Sequence, residues 1–125
     1  MHVIFMLLWM IFFHIIDDFV LQPVCLSSLK QRSYWQENAP DKLYKHDYIC
    51  ALIMHSISWT FMIMLPIAYF HGFNITPGIF GTFLFNVAVH AFVDNLKANR
   101  KEINLWQDQL IHIGQILLTW MLVFI

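Results

Sequence analysis

The sequence predicts an all-α protein, an integral membrane bundle of four transmembrane helices, and three observations carry that reading. Hydrophobic residues make up 59% of the 125-residue chain and charged residues only 12%, against roughly 45–50% apolar residues in ordinary soluble domains. A soluble domain of this length has too little interior to hide so much apolar surface. Four apolar stretches, about Val3–Val24, Asp47–Phe70, Gly78–Leu96 and Leu105–Ile125, each come near the roughly 20 residues a helix needs to cross the hydrocarbon. All seven Lys and Arg fall between the first and second stretches or between the third and fourth. The chain, residues 1–125, therefore reads as one four-span domain with a polar loop over residues 25–46.

The first stretch runs from Val3 to Phe13 without a charged residue. It lacks the basic n-region and small-residue cleavage site of a secretory signal, so it reads as a retained helix. The loop after it carries Lys30, Arg32, Lys42 and Lys45. In that loop Asn38-Ala39-Pro40-Asp41 marks a turn, and Tyr34 and Trp35 suit a membrane interface. Ser27-Ser28-Leu29-Lys30 can start a short surface helix. Pro66 is placed to kink the second span, and Thr76-Pro77-Gly78 turns the chain into the third. The connection around His71–Pro77 has no basic residue, whereas Lys97, Arg100 and Lys101 lie between the third and fourth spans. The positive-inside rule makes the basic side cytoplasmic, which puts both termini outside in a bacterial inner (plasma) membrane. Cys25 and Cys50 fall at cytoplasmic span ends, where thiols stay reduced; without CxxC spacing they read as packing residues. Membrane lipids are the expected partners, together with further copies of so small a bundle. Nothing in the sequence resembles a nucleic-acid-binding surface.

The polar residues inside the spans form a pattern. His14 and Asp18 are four apart and share a helix face, with Gln22 extending the stripe. His90 and Asp94 repeat the pair in the third span, with Asn86 one turn earlier; Asp108 and His112 reverse it in the fourth. The second span contributes His55 alone, with Ala51 where an aspartate would complete a pair. The reversal has a meaning. Spans one and three descend toward the basic side while span four climbs from it, so every aspartate lies on the basic side of its histidine. At 1.5 Å per residue, His14, His55, His90 and His112 all lie about 12 Å inside that boundary, with the aspartates one turn shallower.

Carboxylates at such depth cost about 2.5–3.5 kcal/mol each on insertion scales, and three together repel. A shared divalent cation removes both problems. Imidazole and carboxylate suit Zn, Mn or Fe, and inward-facing His/carboxylate sets build di-metal sites in four-helix bundles. The expected ligands are His14, Asp18, His55, His90, Asp94, Asp108 and His112, holding one ion or two. A single intramembrane histidine more often hydrogen-bonds across a helix interface; three depth-matched pairs argue for more. Asp17 sits off the stripe, as a supporting or interface residue. Lys97 reads as a snorkelling anchor, and His2, His46 and His71 as surface residues.

The blocks HIIDDFVLQ, LIMHS, HAFVDNLK and DQLIH resemble, in order, the pattern of a family of small bacterial and phage multi-pass membrane proteins of unknown function. That pattern runs HxxxDFxLQ, a His-bearing second span, HxxxDxxK and DQxxH. The chain departs from it at Trp59, where the family often carries a second histidine. The family is distantly similar to integral-membrane metal-dependent hydrolases.

The expected function is a membrane-embedded divalent-metal-dependent hydrolase that takes a lipid or phosphoester from the cytoplasmic side. Asp18 or Asp94 would act as general base. Two alternatives stand beside it: a proton or metal-ion transporter or channel, and a structural or interaction membrane protein of phage or bacterial origin that metal merely staples.

Overall fold

The computed structural model describes residues 2–124, and its helices follow the apolar stretches. Helix α1 spans His2–Ile16 and runs on as a π-helical turn over Asp17–Leu21. It stops where Gln22 takes an extended backbone before Pro23, as the restriction on a residue preceding proline requires. Two short helices follow, α2 (Val24–Leu29) and α3 (Arg32–Asn38), then a single 3-10 turn at Lys42–Tyr44. Helix α4 is Asp47–Phe70, α5 is Pro77–Asn95 continued by a second π turn at Leu96–Arg100, and α6 is Leu105–Phe124. The expected end of the fourth span at Ile125 lies outside the described residues.

Local chemistry sets the boundaries. Asp41 caps the 3-10 turn by accepting from Leu43 N at 2.8 Å. Gly72 and Phe73, both at φ +59°, reverse the chain after α4, and the Phe73 amide closes the helix end on Ala68 O at 2.7 Å. Thr76 then caps α5 through Ile79 N at 3.2 Å, with Pro77 at the first helical position, where its missing N–H is harmless.

The four long helices form a closed ring: α4 packs on α1 and α5, and α6 closes it against α5 and α1. Neighbours are antiparallel. Trp120 near the end of α6 donates to Val3 O at the start of α1 (2.7 Å), while Asn86 meets Thr119 and Lys97 meets Asp108 along α5 and α6. Both basic connections therefore emerge at one end, and they touch: Arg32 N donates to Asn99 Oδ1 and Asn99 Nδ2 donates to Lys30 O.

The ring is apolar outside and polar inside. Among the described residues, thirteen polar or charged side chains are buried against nine hydrophobic ones, the reverse of a water-soluble interior. Three helices among the described residues are long and apolar enough to cross a membrane, those within His2–Leu21, Lys42–Phe70 and Pro77–Arg100. Helix α6, of 20 residues, is not among them, because Gln107, Asp108, Gln109, His112 and Gln115 lower its mean hydropathy. Of the four expected membrane spans, all four form packed helices, and three of these have the length and apolar composition to cross a membrane. Cys25 and Cys50 do not serve as packing residues: both are exposed on the outside. The surface helix expected from Ser27 forms earlier, from Val24, because Pro23 starts it.

Candidate metal centre

The four depth-matched histidines meet in one layer. Their rings are at most 2% exposed. His90 stacks on His112 with ring centres 4.1 Å apart, His55 lies 5.1 Å from His90, and His14 lies 6.0 Å from His112. Trp59 roofs the layer, stacked on His90 at 4.1 Å. Position 59, where the resembled family often has histidine, thus supplies a wall rather than a ligand.

Asp94 is the hub of the next layer. Its Oδ1 faces His112 Nε2 at 3.3 Å and His90 Nε2 at 3.7 Å. Its Oδ2 faces His55 Nε2 at 3.5 Å and accepts from Lys30 Nζ at 2.7 Å. The two oxygens of one carboxylate thus address two different sets of groups. Asp18 Oδ1 lies 3.4 Å from the same His55 Nε2.

Asp17, expected off the stripe, is 2% exposed and faces inward beside Asp18. The π turn explains it: a wider turn brings neighbours at 17 and 18 onto the same side of the helix. Asp17 accepts from Ser58 Oγ at 2.7 Å and approaches His55 Nδ1 at 3.7 Å. A carboxylate behind the far nitrogen of a histidine is how metal-ligating imidazoles are oriented. Here it leaves His55 Nε2 for Asp18 and Asp94.

His14 is held differently. Trp59 Nε1–H can only donate, and it reaches His14 Nδ1 at 2.8 Å. The ring proton is therefore on Nε2, which donates to Gln109 Oε1 at 3.0 Å. The Gln109 amide nitrogen in turn donates to Asp18 Oδ2 (3.1 Å) and Asp108 Oδ2 (3.2 Å). Both nitrogens of His14 are spent, so it braces the layer. Lys97 does not snorkel outward: its ammonium is 2.7 Å from Asp108 Oδ2, a carboxylate with no exposure.

The donor set fits a divalent cation. Asp18 Oδ1, His55 Nε2, both nitrogens of His90, Asp108 Oδ1 and His112 Nδ1 are buried without a hydrogen-bond partner in the protein, a costly arrangement unless something else engages them. Among the described residues, two groups have ligand atoms mutually within 4.8 Å: Asp18, His55 and His90, and His90, Asp94 and His112. Each has the imidazole–carboxylate chemistry of Zn, Mn or Fe sites. Of the seven expected ligands, five fall in these groups; His14 and Asp108 stand beside them. Sequence reasoning missed the roles of Lys30 and Gln109. Only the DQLIH block hinted at Gln109, and nothing local marks Lys30.

Toward the opposite end the polar character fades. Asn86, Gln115 and Thr119 bond to one another, and Met10, Ile63, Ile67 and Ile116, each with no exposure, fill the rest of the ring interior there. No family model, curated protein or solved structure matches the chain.

Proposed function

We propose that the protein is a four-span membrane hydrolase that depends on a divalent metal and cleaves a phosphoester presented from the cytoplasmic leaflet. One observation carries the reading: two imidazole–carboxylate groups share His90 and meet at the two oxygens of Asp94. The outward face of α6 supports its being the fourth span. Leu110, Leu118, Met121 and Leu122 are 44–67% exposed, while Asp108, His112, Gln115 and Thr119 are buried. Mean hydropathy undervalues such a helix because its polar residues past the first turn are gathered on the ring side, Gln107 alone of the five lowering it from an exposed position at the helix start.

Bound at these groups, a cation supplies Lewis acidity and offsets the carboxylate charge. His55, His90, Asp94 and His112 would hold it. Asp18, left out of that set, is the general base through Oδ1, which has no hydrogen-bond partner in the protein. Water's oxygen bonds to phosphorus while Asp18 takes its proton, the bond from phosphorus to the alcohol oxygen breaks, and the proton passes to the departing alkoxide.

The transporter reading draws on the Asn86–Gln115–Thr119 network, which extends polar groups past the histidines. The apolar plug of Met10, Ile63, Ile67 and Ile116 counts against a through-path.

Elemental analysis of detergent-purified protein tests the metal reading. One or two equivalents of Zn, Mn or Fe are expected. His90→Ala should strip them, because it belongs to both groups, whereas His71→Ala on the exposed turn should not. Metal-free wild type whose melting temperature ignores chelators would sink it. Topology is tested separately: single cysteines at Gln36 and Asn74 should label from opposite sides of the membrane, and same-side labelling would remove the four-span arrangement.

A further inference from the structure

Over the carboxylate end of the ring lies an open-mouthed cavity of about 380 Å³, lined by Gln22, Lys30, Gln31, Lys97 and Lys101 among others. Three of its lining residues are lysines and none is acidic. Glu102, the one acid of the α5–α6 connection, is engaged by Arg100 at 2.6 Å. The floor of the cavity is the roof of the candidate centre, because Lys30 and Lys97 reach Asp94 and Asp108 at 2.7 Å each. An ammonium has three donors. Lys30 spends two, on Asp94 and on Gln22 Oε1 at 3.1 Å, and Lys97 spends one on a carboxylate. Lys101 holds a left-handed backbone, φ +54°, which is unfavourable for a residue with a β-carbon; that turn ends the π segment and places Lys101 in the wall.

We propose that this cavity is a phosphate subsite that takes the phosphomonoester headgroup of a membrane amphiphile. The inference rests on the hydrolase reading, and names its substrate class. With Asp94 engaged by a cation, the Lys30 charge is left to the cavity beside that of Lys101, while Lys97 stays paired with Asp108 and keeps donors to spare. A dianionic tetrahedral group answers these ammonium groups and the amides of Gln22 and Gln31. An amphiphile fits better than free phosphate because apolar residues flank the lining in the chain. Val20 and Val24 stand on either side of Gln22 at 71% and 86% exposure, and Trp106, near Ile103, is 80% exposed.

The test uses the detergent-solubilised full chain, titrated with mixed micelles carrying phosphatidic acid, with phosphatidylcholine micelles, and with inorganic phosphate. Phosphatidic acid should bind best, and Lys101→Gln should weaken it by about tenfold, the effect of one lost charge-assisted hydrogen bond, with metal content and melting temperature unchanged. Lys101 is exposed, so this variant keeps the fold. Equal binding of the two lipids, or phosphatidic acid binding indifferent to Lys101→Gln, overturns the subsite. Inorganic phosphate binding as tightly as the lipid overturns the amphiphile. Wild type that purifies without metal and melts indifferently to chelators, yet binds phosphatidic acid through Lys101, would end the metal reading and leave the subsite standing.

Discussion

Asp94→Ala should destabilise the bundle by about 3–5 kcal/mol, the cost of breaking a buried ion pair from one side. Lys30 is 4% exposed, and without Asp94 its remaining side-chain acceptor is Gln22. The loss comes from the stranded ammonium as much as from the missing contact. The double variant Lys30→Met/Asp94→Leu should therefore recover most of the melting temperature while failing to bind metal. Thermal unfolding in detergent, with metal analysis of the same samples, separates the two roles of this carboxylate. If Asp94→Ala melts like the wild type, the pair does not tie the first loop to α5.

Trp59→Ala should be comparably costly, about 3–5 kcal/mol for a fully buried tryptophan. Trp59 has no exposure, stacks on His90 and donates to His14. Trp59→Phe keeps a ring against His90 but deletes the donor to His14 Nδ1, a loss of about 1 kcal/mol. Metal content should survive in the phenylalanine variant, since His14 stands outside both metal-competent groups. Nitrogen NMR of His14 should show the Nε2-protonated tautomer in the wild type and a shifted tautomer population in Trp59→Phe. An unchanged tautomer would show that Gln109 alone sets it.

The long helices were legible because helices apolar enough to cross a membrane appear in the sequence as continuous apolar runs. Asp47–Phe70 is a helix as read from the sequence, and Gly78–Leu96 differs by one residue at each end. The depth match of the four histidines was legible for the same reason: rise per residue is fixed once a helix is straight. Asp17 was expected off the stripe because the reading assumed α-helical periodicity, whereas the π turn at Asp17–Leu21 alters the angle between neighbours; its place behind His55 is the supporting one of the two roles expected. Lys30 was counted as a topological charge because its partner lies 64 positions away. No local pattern announces such a contact. Helix α3 went unforeseen, since the loop's apolar residues are too few to show a period, yet Trp35 anchors it by donating to Leu29 O at 2.9 Å.

The closed ring also imposes an order of assembly. Asp18, His55 and His90 come from α1, α4 and α5, so the first metal-competent group is complete before α6 has left the ribosome. The second waits for His112, and the brace on His14 waits for Gln109, which reaches Asp18 from 91 positions downstream. Synthesis at about 5–20 residues per second separates these moments by a second or more. A nascent three-helix intermediate thus already presents one ligand triad, while Asp94 and Lys30 await the last helix to seal them in.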